Sequence, residues 1–231
     1  GTMCWSMGET NRRGQICVTV SSETSNGVDA FLLLVPASSP KMPPTFIRPC
    51  LPSPVDTPPD GSEWTHEVKF DGYRTLAAVG EDGSLRIWSR SGRSLREYFP
   101  GIAEDVLSMR RTLFIDGEAV LFRGDGTTDR LNLRNRFERD RVALVAFDLL
   151  FLDGEDLRMR PLVERKKRLM DLLFPGYPRI QFCEGIDGDG TSLFQRACEL
   201  GLEGIVSKLK TSIYRSGRSR NWLKAKCPDY L

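Results

Sequence analysis

The chain has one histidine in 231 residues, and its apolar runs are short. A serine–histidine–aspartate hydrolase would have to use that histidine, His66, and the sequence has no GxSxG segment to supply the serine. No apolar run reaches the roughly 18 residues that a membrane-spanning helix needs. The longest, AFLLLVP at residues 30–36, lies too far into the chain for a typical signal peptide. We therefore expect no membrane partner.

The cysteines are few and scattered, and no two form a CxxC pair. They are Cys4, Cys17, Cys50, Cys183, Cys198 and Cys227. This spacing argues against a zinc site and against a framework of disulfide bonds. It is typical of the reducing cytosol, where cysteines stay as thiols. We therefore expect structural or neutral cysteines and a cytoplasmic location.

A Gly-rich loop of the Walker A type is also absent, so any bound phosphates would be held by side chains. The net charge of +2 is small, but the charge is distributed unevenly. Seven basic residues and no acidic one occur from position 208 to position 226, namely Lys208, Lys210, Arg215, Arg218, Arg220, Lys224 and Lys226. Such a segment favours a polyanion, whose phosphates release counterions on binding, over the alternative of a plain solvated loop.

Residues 1–44 differ in composition from the rest of the chain. They are rich in Ser, Thr, Asn and Gly, and ICVTV at 16–20 and AFLLLV at 30–35 resemble strands. We interpret them as an N-terminal extension of uncertain order. A proline-dense segment follows and indicates an extended lead-in, because proline is excluded from helix interiors and central strands. Residues 45–231 then form the main domain.

From residue 64 onward the hydrophobic pattern becomes regular. Strands are expected at residues 66–79, 85–92, 142–154, 179–184, 203–210 and 221–227, with two short strands about a DGE bend at 112–122. Helices are expected at 101–110, 161–174 and 190–202, the second as an ordinary surface helix, charged on one face and apolar on the other. This irregular alternation favours an α+β fold over a doubly wound parallel sheet.

Charged residues interrupt strands that should be apolar. Alternation places Lys69 and Asp71 on one face of their strand, and Lys224 and Lys226 on one face of another. Because an unpaired buried ammonium is very costly, a sheet face with two lysines must meet solvent or an anion.

The segment KFDGYR, residues 69–74, resembles the KxDGxR motif of the covalent nucleotidyltransferases, which comprise ATP-dependent DNA ligases, RNA ligases and mRNA capping enzymes. The segments SRSG, DGE, AFD, EGIVSK and WLKAK follow in the family's order. Their residues are similar to those of the ligase module of bacterial end-joining ligase D. The resemblance covers about residues 45–231. It implies an α+β covalent nucleotidyltransferase (ATP-grasp-like) fold, with two antiparallel sheets flanked by helices and a nucleotide cleft between them.

The resemblance implies that Lys69 attacks the α-phosphate of ATP, expels pyrophosphate and holds AMP as a phosphoramidate. The AMP would pass to a 5′-phosphate so that a DNA strand break can be sealed. An amine must be neutral to attack, and an ordinary lysine, with a pKa of about 10.4, is neutral in only about one molecule in a thousand near pH 7.4. Neighbouring cations and a divalent metal favour the neutral form, and Lys224, Lys226 and Arg74 fit that need. The first two would also hold the α-phosphate oxygens.

Further roles follow from the same resemblance. Glu118 and Glu203 would hold Mg²⁺ (or Mn²⁺), which prefers hard carboxylate oxygens, and Glu118 would also lie near the ribose. Phe147 would stack on adenine, Glu67 would contact its exocyclic amine, and Lys208 would also bind the nucleotide.

The remaining assignments concern the nucleic acid. Arg74 and Arg90 would contact the nucleotide or the phosphate at the nick, and Asp71 would act late, near the 3′-hydroxyl. Plainer alternatives stay open: Phe147 suits a hydrophobic core, and Lys208 suits a solvated strand end. In the same way Glu203 could merely follow a helix end, Arg90 could pair with a surface carboxylate, and His66 is expected to be incidental.

Ligases of this family usually carry an oligonucleotide-binding domain after the WLKAK motif. We expect that domain to be absent here and nick sealing by this chain to be weak or absent. The expected partners are nicked or broken duplex DNA and end-joining repair proteins, with a monomer acting at the bacterial nucleoid. RNA ligation, GTP-dependent capping, and a DNA- or nucleotide-binding module without turnover are the alternatives. Residues 122–142 receive no role.

Overall fold

A computed structural model describes residues 4–10, 16–24, 27–34, 45–228 and 230. The chain divides into two compact units, residues 1–41 and residues 42–231. In the first unit, β1 (Cys4–Thr10), β2 (Ile16–Thr24) and β3 (Gly27–Leu34) form an antiparallel sheet in that order. The strand expected at 16–20 lies in β2, and the one expected at 30–35 lies in β3 up to residue 34, residue 35 being outside the described residues.

The second unit contains two larger sheets and three α-helices. Its strands are β4 (Cys50–Pro54), β5 (Trp64–Val68), β6 (Tyr73–Val79), β7 (Leu85–Ser89), β8 (Leu113–Val120), β9 (Ala143–Leu152), β10 (Glu155–Asp156), β11 (Ile180–Phe182), β12 (Ile186–Asp187), β13 (Gly204–Leu209) and β14 (Gly217–Lys226). Its α-helices are α1 (Pro100–Ser108), α2 (Leu162–Leu173) and α3 (Gly190–Glu199), and a short 3₁₀ helix spans Arg139–Arg141. The expected α+β class is confirmed.

The six-stranded sheet has the order β10-β9-β8-β6-β7, with β11 beside β9. Helix α1 packs Ile102 and Val106 against this sheet, and α2 contributes Leu169 and Leu172 to the same core. Leu172 and Leu173 lie three and four residues after Leu169, so these leucines share one helix face. This spacing explains why the segment folds as an amphipathic helix. No helix within the described ranges is long and apolar enough to cross a membrane.

The five-stranded sheet has the order β12-β5-β13-β14-β4. The expectation of two antiparallel sheets is correct for most pairs, but each sheet contains one parallel pair, β11 with β9 and β14 with β4. Strand β4 belongs to the proline-dense lead-in, and it lies at the edge of its sheet. An edge tolerates proline because one side of the strand makes no ladder hydrogen bonds.

The expectation of a single strand at 66–79 is wrong. It is two strands, β5 and β6, which belong to different sheets and are separated by residues 69–72. A Cβ atom at Gly72 would lie 2.2 Å from the carbonyl oxygen of Ala119, so the crossing passes too close to β8 for a side chain. Lys69 and Asp71 therefore lie in the crossing between the sheets rather than on one strand face.

The DGE segment also differs from its expected bend. Strand β8 is continuous, and its register against β9 shifts at Phe114/Ile115 and at Asp116/Gly117. Such irregularities re-aim side chains beside functional sites.

The cysteine expectation is wrong for one pair. Cys198 of α3 and Cys227, directly after β14, form a disulfide bond. They are 29 residues apart in the sequence, and the packing of α3 beside the five-stranded sheet brings them together. Of the other cysteines in residues 45–228, Cys50 and Cys183 are buried thiols.

Candidate active site

A cleft of about 620 Å³ lies between the two large sheets. Most of the residues expected in an active site line it: Lys69, Asp71, Arg74, Arg90, Glu118, Glu203, Lys224 and Lys226. A smaller cavity of about 100 Å³ adjoins it and shares Lys69, Arg74 and Glu118. The remaining expected residues, Glu67, Phe147 and Lys208, line this second cavity. The fold thus gathers residues that are up to 159 positions apart, as between Glu67 and Lys226.

Lys69 forms an ion pair with Glu203, which also binds Lys226 at 2.6 Å. Burial by itself would raise the pKa of Glu203, but hydrogen bonds and charge from Lys226 and Lys69 outweigh it and hold that pKa below the usual range. The register of β13 against β14 places Gly204 opposite Lys226, and a Cβ atom at Gly204 would lie 2.1 Å from the carbonyl oxygen of Ala225. Glycine here lets the two chain segments approach closely enough for one carboxylate to hold both lysines.

Lys224 lines the same cleft as Lys226, as the strand alternation predicts. Its pKa is lowered, first by burial and then by the positive charges of Lys69 and Lys226. The cleft therefore concentrates ammonium groups beside one carboxylate, which makes it receptive to an anion.

Glu118 lies on the opposite wall of the cleft, at the end of β8. Burial raises its pKa to about 7, while the charges of Arg74 and Lys69 act in the other direction. Across residues 45–228, no group of three or more His, Cys, Asp and Glu side chains is arranged to hold a metal ion. Two carboxylates with water and phosphate oxygens would suit Mg²⁺, which usually keeps several waters and binds through one or two carboxylates.

Arg74 is held from within the protein. It donates to both carboxylate oxygens of Asp116, at 2.6 and 2.7 Å, and to the carbonyl oxygen of Cys50 at 3.1 Å. Asp116 is fully buried and also accepts a hydrogen bond from the hydroxyl of Tyr214 at 2.6 Å. Burial would lower the pKa of Arg74, but Asp116 raises it well above its usual range. Much of the charge of Arg74 is thus offset by Asp116, which the sequence analysis did not place in the site.

Glu67 is buried between two lysines. Lys208 and Lys166 each approach a different carboxylate oxygen, both at 2.5 Å, and Lys166 also donates to the carbonyl oxygen of Cys183 at 2.6 Å. Burial would raise the pKa of Glu67, but the charges of the two lysines lower it. Lys208 is only 2% exposed, so the alternative of a solvated strand end is wrong.

Helix α2 also contributes two charged side chains to ion pairs in the interior. Lys166 binds Glu67, which lines the smaller cavity, and Arg165 is fully buried with Asp148. The sequence held a signal for Arg165, because it lies three residues after Leu162 and four before Leu169 on the apolar face. Nothing in the sequence pattern distinguished Lys166 from its exposed neighbours.

Phe147 borders the smaller cavity and is partly exposed. The guanidinium carbon of Arg74 lies 4.6 Å from the centre of its ring, and the ammonium nitrogen of Lys208 lies 4.3 Å from it. Trp222 packs edge-on at 6.1 Å, and its buried indole N–H has no hydrogen-bond partner among the described residues. The cavity thus combines an aromatic ring, a carboxylate and an unused donor, which are groups that fit a purine base.

Of the three residues expected at the nucleic acid, Arg74 is described above, and Asp71 and Arg90 line the cleft as well. Asp71 accepts a hydrogen bond from Arg130 at 3.0 Å and one from the Tyr230 hydroxyl at 3.4 Å. Arg90 is exposed, and no carboxylate in the described part of the chain lies within ion-pair distance of it, so the proposed surface pair does not form. His66 is buried on β5, where it shares a hydrogen bond of 2.8 Å with Ser207.

The basic run from 208 to 226 proves to be only partly exposed. Lys208 is buried with Glu67, and Lys210 pairs with Asp187 at 2.5 Å. Arg215, Arg218 and Arg220 are exposed. The expected positive patch is therefore smaller than the sequence suggests.

Comparison with known proteins gives a consistent result. The family model "ATP dependent DNA ligase domain" matches residues 55–226. The multifunctional non-homologous end joining protein LigD of Pseudomonas aeruginosa is 39% identical over 191 residues, which cover 80% of this chain and 22% of that protein. The SPbeta prophage-derived DNA ligase-like protein LigB of Bacillus subtilis is 30% identical over 190 residues, 80% of this chain and 69% of the relative.

Solved structures agree with the sequence matches. The ligase domain of Mycobacterium tuberculosis LigD is 33% identical, with a TM-score of 0.67, over 77% of this chain and 60% of that one. A mycobacterial DNA ligase D complexed with ATP and MES is 32% identical, with a TM-score of 0.66, over 77% and 59% of the two chains. This chain spans about a fifth of the LigD proteins, 22% in the Pseudomonas case. It belongs to the family of ATP-dependent DNA ligase adenylation domains and is similar to those of bacterial LigD proteins.

Proposed function

We propose that this chain captures AMP from ATP on Lys69 as a covalent lysyl-AMP intermediate and transfers it to the 5′-phosphate at a DNA break, which is then sealed. The observation that carries the proposal is the position of Lys69, where the purine-sized cavity meets a cleft lined by Lys224, Lys226 and the carboxylates of Glu118 and Glu203, among others. A lysine with only a structural role would not need two further lysines and a cavity of this size beside it.

In the first step the amine nitrogen of Lys69 attacks the α-phosphorus of ATP. A nitrogen–phosphorus bond forms, the bond from the α-phosphorus to the bridging oxygen breaks, and pyrophosphate leaves with its electron pair. The Lys69 ammonium gives up two protons to solvent or a cleft carboxylate, one before the attack and one as the new bond forms, and the phosphoramidate nitrogen keeps one hydrogen. Glu203 holds the Lys69 ammonium before the reaction, so this ion pair must open or pass a proton before the nitrogen's lone pair becomes available.

Lys224 and Lys226 suit the stabilisation of the transition state. Both line the cleft beside Lys69, and both carry positive charge to the place where negative charge develops on the α-phosphate oxygens. When Lys69 leaves Glu203, Lys226 keeps a partner in that carboxylate at 2.6 Å. The geometry therefore supports an exchange of partners inside the cleft without leaving a charge unpaired.

The choice of ATP over GTP is assigned to Glu67. A buried carboxylate accepts a hydrogen bond from the exocyclic amine of adenine, whereas the carbonyl oxygen that guanine presents there would be repelled. Lys166 and Lys208 each bind one oxygen of Glu67 and fix its orientation. We therefore favour ATP-dependent ligation over GTP-dependent capping.

We assign Mg²⁺ or Mn²⁺ to Glu203 and Glu118, whose carboxylates both line the cleft. Such an ion would supply positive charge to the phosphates of ATP. Arg74 and Arg90 are assigned to phosphate contacts, Phe147 to stacking on adenine, and Asp71 to the 3′-hydroxyl step. The nicked or broken duplex and end-joining proteins are the proposed partners of a monomer, and the cytoplasm at the nucleoid is the proposed location.

The proposal is tested by measuring whether the AMP part of ATP becomes covalently attached to the chain. The chain is incubated with a divalent cation and ATP labelled at either the α- or the γ-phosphate, and protein-bound label is measured after denaturation. We expect stable labelling from α-labelled ATP alone, competition by unlabelled ATP but not GTP, and release of the label onto a nicked duplex with a 5′-phosphate. Lys69→Arg should abolish the labelling, whereas Lys167→Arg, an exposed lysine of α2, should retain it. Noncovalent ATP binding with no label retained would instead support a binding module without turnover.

A further inference from the structure

The strongest unassigned feature is an arginine-rich segment beside the cleft, in which all the arginines but Arg139 are exposed. Residues 130–141, called here the arginine segment, contain Arg130, Arg134, Arg136, Arg139 and Arg141. Two arginines have a carboxylate partner, Arg130 with Asp71 at 3.0 Å and Arg141 with Glu138 at 2.6 Å. Arg134 and Arg136 are exposed and have no ion pair within residues 45–228.

The arginine segment is held in place despite its irregular backbone. Leu133 is fully buried in the core of the six-stranded sheet. Immediately before the segment, the Asp129 amide donates to the carbonyl oxygen of Leu121 at 2.7 Å, and Asp129 in turn accepts from the Asn132 side chain at 2.9 Å. The arginines therefore project from a fixed base, which lowers the entropy lost when they bind a partner.

Aromatic rings position Arg134 and Arg136 without neutralising them. The Arg134 guanidinium carbon lies 5.1 Å from the centre of the Tyr73 ring, and that of Arg136 lies 4.6 Å from the Phe137 ring. Stacking on a ring leaves the guanidinium charge and its in-plane N–H donors available, unlike a bidentate carboxylate pair. Both cations are thus available to an external anion.

The segment is continuous with the cleft. Arg130 and Arg134 line the same cavity as Lys69. Leu131 and Phe137, which are 92% and 77% exposed, stand among the arginines as uncovered apolar side chains. A duplex offers both a regular row of phosphates and apolar sugar and base edges in its minor groove.

We propose that the arginine segment binds the phosphate backbone of duplex DNA next to the break. This inference rests on the proposed function, because a 5′-phosphate that reaches Lys69 brings its flanking duplex to the cleft that Arg130 and Arg134 also line. Arg134 and Arg136 contact backbone phosphates and so act on every sequence alike. The segment orients the duplex and is separate from the groups that react with ATP.

The test measures DNA binding by the full 231-residue chain without ATP or divalent cation, so it does not depend on labelling of Lys69. The probes are a nicked duplex with a 5′-phosphate, the intact duplex of the same sequence, and an RNA duplex of that sequence, each over a salt series. The double variant Arg134→Ala/Arg136→Ala is compared with Arg86→Ala/Arg111→Ala. That control removes the same charge from exposed positions at the far end of the sheet, where β6 ends at Val79 opposite Leu113.

We expect the Arg134/Arg136 variant to bind both DNA duplexes about tenfold more weakly at low salt, and the slope of log affinity against log salt to fall by nearly two. The control should bind like the unaltered chain, and Arg134→Lys/Arg136→Lys should keep most of the affinity. Equal binding by the variant and its control, the same loss in the lysine and alanine variants, or tighter binding of the RNA duplex would overturn the proposal. Failure of the proposed function has a different signature, because Lys69 would then take no label while DNA binding still depended on these arginines.

Discussion

Two ion pairs in this molecule, Arg165 with Asp148 and Lys69 with Glu203, differ in what surrounds them. Arg165 of α2 and Asp148 of β9 are both fully buried and joined by hydrogen bonds of 2.7 and 2.8 Å. The other nitrogen of the Arg165 guanidinium donates to the carbonyl oxygens of residues 160 and 212. Lys69 and Glu203, in contrast, lie on the wall of the cleft, with side chains 19% and 5% exposed.

The difference in surroundings indicates that the Arg165–Asp148 pair stabilises the fold, whereas the Lys69–Glu203 pair is accessible to a substrate. All three guanidinium nitrogens of Arg165 are hydrogen-bonded within the protein, so an incoming ligand has no contact to take over. Around Lys69 the carboxylate is shared with Lys226, and one side of the cluster faces the cleft. Substrate phosphates can therefore compete for the lysines, which is the condition for an exchange of partners during a reaction.

The largest effect on stability is expected for Arg165→Met. The substitution leaves the Asp148 carboxylate buried without its cation, which should lower the free energy of unfolding by about 3–5 kcal/mol. Denaturant unfolding measures this, with Arg168→Met on the same helix as the control. Because the pair of Arg168 with Glu155 is largely exposed, its loss should cost less than about 1 kcal/mol. Equal costs for the two variants would remove the distinction between enclosed and accessible pairs.

Glu203→Gln should separate activity from stability. The chain loses the carboxylate that positions Lys69 and that we assign to the divalent ion, so labelling from ATP should slow by about a hundredfold. The free energy of unfolding should change less than in Arg165→Met, since the side chains of the two lysines left without the carboxylate, Lys69 and Lys226, are 19% and 56% exposed. Single-turnover labelling and denaturant unfolding of the same samples give both numbers. Glu199→Gln, which removes an exposed carboxylate of α3, serves as the control and should leave the labelling rate unchanged.

Lys166→Met tests the enclosed side of the nucleotide cavity. Loss of one of the two lysines that fix Glu67 removes a charge-assisted hydrogen bond, and we expect ATP to bind about tenfold more weakly. The labelling rate at saturating ATP should change less than the affinity, and discrimination against GTP should weaken. The neighbouring Lys167→Met is exposed and should behave like the unaltered chain. A loss of rate at saturating ATP with unchanged affinity would contradict a positioning role.

The smallest effect is expected from pH, through Glu118. Its pKa of about 7 means that the carboxylate is mostly protonated below that pH and mostly ionised above it. Binding of ATP with a divalent cation should therefore strengthen by less than about tenfold per pH unit as the pH rises through about 7. Isothermal titration at a series of pH values tests this. Glu118→Gln should remove the inflection, and Glu104→Gln, an exposed residue of α1, should retain it. The same inflection in the Glu118 variant would assign it to another group.

Chemistry was easier to predict from the sequence than geometry. Charged residues stand where the hydrophobic pattern predicts strands, and four of them, Lys69, Glu118, Glu203 and Lys224, meet in one cleft. The chain crossing at 69–72 could not be predicted, since apolar residues at 68 and 70 continue the strand alternation without a break. The crossing is recognisable only from the close approach of Gly72 to β8. That contact depends on residue 119, which lies 47 positions away in the sequence.

The remaining misses have the same cause. The Cys198–Cys227 bond joins α3 to the end of β14, and sequence spacing carries no information about that packing. The parallel pairing of β4 with β14 is a long-range contact that local patterns do not encode. The role of Lys166 depends on the direction of one side chain toward Glu67, whereas helical periodicity distinguishes only buried from exposed faces.

The most direct test of the account is site-resolved mass spectrometry of the chain after incubation with ATP and a divalent cation. We predict that one peptide gains the mass of a single adenylate, that fragmentation places it on the side-chain nitrogen of residue 69, and that a nicked duplex with a 5′-phosphate removes it. An adenylate on any other lysine, or none while ATP demonstrably binds, would contradict the account.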